Sequence, residues 1–208
     1  MKRVITVANL KGGTGKTTVA LNLAIELSKK HAVSVLDLDA QRSSTIFNRL
    51  REGEGLEPLE MQQAQTEKEI KKIIASNTGI LIIDSGAQDS DLNAFVIGHA
   101  DYIICPVSDA EIEIYGLLTF NELLKKIKKA NRKLKAHVLM NRLPAKATGV
   151  DIADQVKKHP GTLALMKTII RERNEYRHLF AHGKGATEAT RKTAAAEEIK
   201  SLAKEVLK

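Results

Sequence analysis

Asn9-Leu10-Lys11-Gly12-Gly13-Thr14-Gly15-Lys16-Thr17-Thr18 follows an apolar, β-branched run at residues 4–8 and leads at once into a stretch with apolar residues at helical spacing. Strand, glycine-rich turn and helix, in that order, are what a phosphate-binding loop requires. Gly12, Gly13 and Gly15 let backbone N–H groups turn inward around a phosphate, where bulkier residues would obstruct. The helix opening near Lys16 contributes unpaired donors and the positive end of its dipole. In such a loop Lys16 reaches the β- and γ-phosphates of a nucleotide, and the Thr17 hydroxyl sits on Mg²⁺. Thr14 and Thr18 complete the cradle. A purely structural glycine turn explains part of this string, but not Gly-Lys-Thr-Thr between a strand and a helix.

The flanking sequence repeats the alternation. Residues 33–38, 80–83, 102–106 and 136–140 are further short apolar runs, and segments such as 17–30 and 112–129 have helical spacing. Ala20, Leu23, Ala24 and Leu27 share one helical face. The pattern predicts an α/β fold, a doubly wound and mostly parallel sheet with helices on both faces. At 208 residues the chain suits a single domain, 1–208, around one large core. Residues 53–58 read as a polar loop and 189–207 as a closing helix. The apolar residues of that helix, Ala195, Ile199, Leu202, Ala203 and Val206, include no Phe or Trp to enter a lipid interface, which favours packing on its own domain.

Several classes are excluded. A lone Cys105 rules out a disulfide framework and a cysteine-rich metal module. No run reaches the roughly 18 apolar residues of a membrane span. Asn9 and Lys11 end the first apolar run too early for a signal peptide, so a cytoplasmic protein is expected. His178 and His182 lie four apart on a helical stretch, but a metal site needs further ligands.

Two more runs end in carboxylates, Val35-Leu36-Asp37-Leu38-Asp39-Ala40-Gln41 and Leu81-Ile82-Ile83-Asp84-Ser85-Gly86. In an open parallel sheet, ligands bind beyond the carboxyl ends of the strands, which puts these acids beside the phosphate loop. There a carboxylate holds a magnesium-bound water or orients an attacking one; a helix cap or turn aspartate is the competing role. Asp37 reads as a structural strand-end acid.

Lys11 directly before the glycines, with Leu10 where the common loop has Gly or Ala, makes Lys-Gly-Gly-Thr-Gly-Lys-Thr-Thr resemble the deviant Walker A loop of the ParA/MinD family of P-loop ATPases. Residues 37–45 are similar to the family's second motif, with Ala40 for the usual proline and Arg42 for a frequent glycine. Residues 100–106 look like the family's strand before its dimer-contact region, and residues 169–188 resemble the C-terminal third of small, ParF-like partition ATPases. The resemblance implies ATP and Mg²⁺ as ligands and an ATP-dependent homodimer in which Lys11 reaches the partner's phosphates. It gives Asp39 the hydrolytic water, groups Thr17, Asp39 and Asp84 at the metal, and makes Asp84 the Walker B acid. Asn141 of the Asn141-Arg142 pair would read the adenine edge, a turn asparagine being the alternative. Ser85-Gly86-Ala87 departs from the family's Thr-Pro-Pro, so no role transfers to Asp89.

Charge is unevenly distributed. Residues 1–104 carry 12 basic and 13 acidic side chains, whereas residues 105–208 carry 21 and 12. A polyanion-binding face therefore belongs to the C-terminal half, against the alternative of a lysine-rich solubility coat. With 3% aromatics and no Trp, such a face would bind phosphates without reading sequence. One basic group is Lys125, Lys126, Lys128, Lys129, Arg132, Lys133 and Lys135; the other is Arg171, Arg173, Arg177, Lys184, Arg191 and Lys192. The resemblance favours the second as the face that binds double-stranded DNA nonspecifically. It further implies a centromere-binding, ParB-like adaptor that stimulates hydrolysis, association with the nucleoid and no membrane partner. A MinD-like membrane switch and a dethiobiotin-synthetase-like ligase are the rival readings.

Overall fold

The computed structural model describes residues 2–87, 91–132 and 134–208; Asp89 and Lys133 lie outside them. Among the described residues there are seven strands: β1 (Arg3–Val7), β2 (Val33–Asp37), β3 (Glu60–Gln63), β4 (Ile80–Asp84), β5 (Tyr102–Val107), β6 (Ala136–Leu143) and β7 (Leu163–Arg171). Eight α-helices connect and close them: α1 (Lys16–Ser28), α2 (Ser43–Gly53), α3 (Glu67–Ser76), α4 (Asp91–Gly98), α5 (Glu111–Lys128), α6 (Val150–Lys158), α7 (Asn174–Ala181) and α8 (Ala194–Val206). A 3-10 turn, Ala186–Glu188, precedes the last.

The strands form one sheet in the order β3-β2-β4-β1-β5-β6-β7, every neighbouring pair parallel. Side chains alternate between its faces. Ile5, Val7, Val35, Ile82 and Leu139 point into a core completed by α1, α2, α7 and α8. Val4, Leu36, Leu81 and Ile83 meet α3 and α4, while Ile103, Cys105, Val107 and Val138 meet α5 and α6. The doubly wound parallel fold read from sequence is the one formed. Helices cover both faces, which is why the central strands are apolar throughout.

Helix α1 buries Val19, Ala20, Leu21, Leu23, Ala24, Ile25 and Leu27, because it lies between the sheet and α8 and has little wet surface. Helix α8 starts at Ala194, five residues later than residue 189, where the Thr193 side chain accepts the Ala196 N–H as an N-cap. Its apolar residues are buried in the same core, as packing on its own domain requires.

Sequence periodicity marks five strands; the two it misses are the sheet edges. β3 is Glu-Met-Gln-Gln, with no apolar run, and is held by pairing to β2. β7 packs on both faces, Leu163 on the side of α5 and α6, Met166 and Ile170 on the side of α1 and α8. An open edge invites strand addition. Here α8 covers it: Glu205 accepts the N–H groups of Lys167 and Thr168, and Glu198 accepts that of Arg171. β6 runs three residues past 140, through Asn141 and Arg142, with register shifts against β7 on either side of Met140. Among the described residues no helix is long and apolar enough to cross a membrane.

Candidate functional site

Parallel strands place all their carboxyl ends on one side, and the site lies there. Val7, Asp84 and Asp37 stand in register across β1, β4 and β2. Beyond β1 the buried Asn9 turns the chain, its amide donating to the Pro106 carbonyl at 2.8 Å and accepting the Lys11 N–H at 3.0 Å. Gly13 and Gly15 follow at φ 79° and 87°, left-handed values that glycine adopts without steric cost. Gly15 is also the N-cap of α1, so no side chain caps that helix, and its first turn contains no acid. Among the described residues no acceptor within the chain takes the N–H of Gly13, Gly15, Lys16, Thr17 or Thr18. Buried or clustered N–H groups are normally paired, so a run of free ones at a helix N-terminus fits an anion.

Lys16 is 6% exposed and turns inward, its ammonium donating to the Lys11 carbonyl at 3.0 Å. Burial lowers its pKa, countered by the negative charges of Asp84 and Asp39. Asp84 is fully buried; one carboxylate oxygen accepts the Ser44 hydroxyl at 2.7 Å, and the other, Oδ1, has no hydrogen-bond partner within 3.5 Å among the described residues. Burial pushes its pKa up to about 7, against the pull of the Ser44 and nearby Thr17 hydroxyls and helped by Asp37 and Asp39. An orphaned buried carboxylate oxygen beside a threonine hydroxyl fits a hard divalent cation such as Mg²⁺. Among the described residues no three carboxylate, imidazole or thiol groups converge into a cage. An ion here would therefore keep waters and phosphate oxygens in its shell, as magnesium does.

Asp37 earns its place structurally: one oxygen accepts the Asp39 N–H at 3.1 Å, the other the N–H and hydroxyl of Thr45 at 3.0 and 2.9 Å. The loop carrying Asp39 is thus tied at both ends. Between them Arg42 sits at φ 50°, where glycine is favoured.

A cleft of about 610 Å³ opens beside the loop; the buried Asp84 and Asp37 lie behind its wall and do not line it. Gly12, Gly13, Gly15, Lys16, Thr17, Thr18, Asp39 and Asn141 line it, as the loop reading requires. Lys11 is absent from the lining, and its ammonium has no hydrogen bond or ion pair among the described residues. Arg171, Arg173 and Arg177, assigned from sequence to a separate basic face, line the far wall of this same cleft with Tyr176. Arg171 donates to the carbonyls of Pro144 and Ala147, and Arg173 binds one oxygen of Glu198 through Nε and Nη2. Arg177 is 76% exposed on its side chain and pairs with Glu172 at 3.4 Å. Lys184 lies elsewhere, in a groove of mixed charge with Arg177, His178, His182 and Arg191 beside Glu54, Glu175 and Glu188. Ser44 and Thr45 fall within the second-motif resemblance and Arg142 within the Asn141-Arg142 pair, but the sequence gives none of the three a role of its own.

The chain matches, over residues 5–186, the family described as the CobQ/CobB/MinD/ParA nucleotide binding domain. It is 24% identical over 207 residues to the maintenance of carboxysome distribution protein A of Halothiobacillus neapolitanus, covering 98% of this chain and 95% of that protein. Its fold is similar to that of a Cyanothece McdA in its apo form, with a TM-score of 0.77 at 19% identity and 99% of each chain covered. A putative plasmid partition protein of Borrelia burgdorferi bound to AMPPNP superposes with a TM-score of 0.73 at 19% identity, over 100% of this chain and 99% of that one.

Proposed function

The chain belongs to the CobQ/CobB/MinD/ParA nucleotide-binding family and is a ParA/MinD-type ATPase, and on that premise we propose that it is a ParA-type partition ATPase. ATP closes two copies into a sandwich dimer, the dimer binds double-stranded DNA without sequence preference, and a ParB-like adaptor on the cargo triggers hydrolysis and release. In this reading it works on the nucleoid in the cytoplasm.

The observation that carries the proposal is the contrast between the two loop lysines. Lys16 is turned into its own cleft, whereas the Lys11 ammonium lies outside that cleft and is engaged by nothing else among the described residues. A cation beside a phosphate site that it does not line supports a role toward a second copy. Beside it Gly116 packs against the Lys11 stem, and Ile112 and Tyr115 on the same helix are each 59% exposed. Exposed apolar groups of this size next to the loop suit self-association.

Within each copy, Lys16 and the free N–H groups would neutralise the triphosphate, Thr17 and Asp84 would hold Mg²⁺, which would supply further positive charge, and Asp39 would orient the attacking water. Positioning and charge are nearly all that phosphoryl transfer needs. DNA phosphates meet the groove of Arg177, Lys184 and Arg191. Arg171 and Arg173, half-buried and already bonded within the chain, contribute less to that face.

The test is binding to random-sequence duplex DNA with ATP, with ADP and without nucleotide, across a salt series. ATP-dependent binding with a steep salt slope supports partition. ATP-dependent binding to anionic vesicles and not to DNA would instead identify a membrane switch, and hydrolysis only with a small co-substrate a ligase. Lys11→Ala is expected to retain ATP binding and lose the ATP-dependent dimer in light scattering; an unchanged dimer refutes the role given to Lys11.

A further inference from the structure

Two side chains of β6 grip the phosphate loop by its carbonyls. The Asn141 amide nitrogen donates to the Thr14 carbonyl at 2.7 Å, and Arg142 Nη1 donates to the Gly13 carbonyl at 2.6 Å. They reach it because the strand is irregular there. Register against β7 shifts on both sides of Met140, and Arg142 stands at φ 54°, a left-handed conformation that L side chains rarely adopt. Bulges of this kind re-aim side chains next to active sites. The approach is close: a Cβ added to Gly15 would lie 2.5 Å from the Asn141 amide nitrogen and 3.9 Å from Arg142 Cδ.

In a trans peptide the C=O of one residue and the N–H of the next point in opposite directions. A donor on the Thr14 carbonyl therefore sets the direction of the Gly15 N–H, and a donor on the Gly13 carbonyl that of the Thr14 N–H. Gly15 begins the run of N–H groups, continuing through Lys16, Thr17 and Thr18, that no acceptor among the described residues takes. We propose that Asn141 and Arg142 are positioning residues for the phosphate loop, binding the Thr14 and Gly13 carbonyls so that the loop's N–H groups face the phosphates before nucleotide arrives. This differs from a role for Asn141 on the adenine edge. It concerns nucleotide binding alone and stands or falls independently of DNA binding, dimerisation or partition.

The two roles separate by which part of the ligand is felt. A base contact changes the preference between ATP and GTP; a preset loop acts on the phosphates they share. Affinities for ATP and GTP are measured by competition against a fluorescent ATP analogue, with melting temperatures recorded in parallel. Asn141→Ala is expected to weaken both nucleotides by the same factor, roughly tenfold, as loss of one buried hydrogen bond implies. Arg142→Gly suits the backbone angle better, so its melting temperature should equal or exceed the parent's while both nucleotides again weaken about tenfold, the loss of one charge-assisted bond. Arg142→Lys, which keeps the cation, should recover part of that loss. An altered ATP-to-GTP ratio in Asn141→Ala, or parental affinities in Arg142→Gly, overturns the proposal. Should Asn141→Ala not fold, the Arg142 pair decides it.

Discussion

Arg51 is the side chain whose removal should damage this protein most for its position on a surface helix. It leaves α2 with its side chain 5% exposed and uses every face of the guanidinium. Nη1 and Nη2 make a two-pronged pair with Glu188 at 2.7 and 3.0 Å, Nη1 also meets the Gly183 carbonyl at 2.7 Å, and Nε and Nη2 meet the Glu57 carbonyl at 3.1 and 3.0 Å. Arg51→Ala leaves Glu188 with only the Gly185 N–H and strips two carbonyls. Breaking a buried pair by deleting one partner costs about 3–5 kcal/mol. The exposed Lys157–Asp154 pair, by contrast, should be worth about 0.2–1 kcal/mol. Urea unfolding followed by circular dichroism at pH 7 measures both. With a slope of about 2 kcal/mol per molar, Arg51→Ala should lower the midpoint by roughly 2 M, and Lys157→Ala by less than about 0.5 M.

The pH dependence supplies an independent check. Burial raises the Glu188 pKa, but hydrogen bonds from Arg51 and Gly185 outweigh it, and the carboxyl is held below its ordinary 4.5. A depressed carboxyl pKa contributes stability above the unfolded value and loses it as pH falls through the folded one. The gap between parent and Arg51→Ala should therefore narrow in acid below pH 4.5. A loss under about 1 kcal/mol at pH 7, or a gap that widens in acid, would refute this account of the junction between α2 and the Gly183 turn.

Asp84 predicts the opposite sign: its folded pKa of about 7 lies above the usual 3.8, so its contribution is complete below 3.8 and is lost as pH rises through 7. Without nucleotide the parent's melting temperature should fall from pH 5 to pH 8, and Asp84→Asn should remove much of that slope; parallel slopes would sink the assignment. Gly183→Ala should cost more than about 2 kcal/mol, since φ is 60° and the new Cβ would sit 2.3 Å from the Arg51 nitrogen; a melting temperature within a degree of the parent's would contradict that. Arg42→Gly should stabilise by about 0.5 kcal/mol, the relief of a left-handed residue worth roughly 1–2 kcal/mol less the extra chain entropy of glycine. A fall in its urea midpoint would mean that Arg42 is held by something other than backbone geometry.

What was legible in the sequence was whatever the backbone demands locally. Gly13 and Gly15 announce left-handed turns, the apolar run before them a buried strand, and Lys16-Thr17 the helix start, so the loop could be placed to within a residue. Strands β3 and β7 were not legible because edge position, not periodicity, makes them strands. Glu60 and Gln63 face water, and β7 is sealed by Glu198 and Glu205, more than 25 residues away in sequence. No local pattern records such a partner.

The same limit governs the basic residues, where counting charge misleads. Arg171 and Arg173 add to a C-terminal excess that points to a polyanion, yet both also bond within the fold. One ties down the turn after β6 through the carbonyls of Pro144 and Ala147, and the other neutralises a carboxylate that also accepts the Tyr176 hydroxyl and the Arg171 N–H. An arginine bonded to acceptors of its own chain gives up those bonds if it turns to a phosphate, which lowers its net gain from a ligand. Arg177, three-quarters exposed and loosely paired, and Lys184 and Arg191 in the adjoining groove carry no such commitment. If the chain holds DNA, the salt dependence of binding should drop when these three are replaced and hardly change on replacing the lysines at the C-terminal end of α5. A slope that instead tracks Lys125, Lys126 and Lys129 would move the interface to the opposite end of the strands.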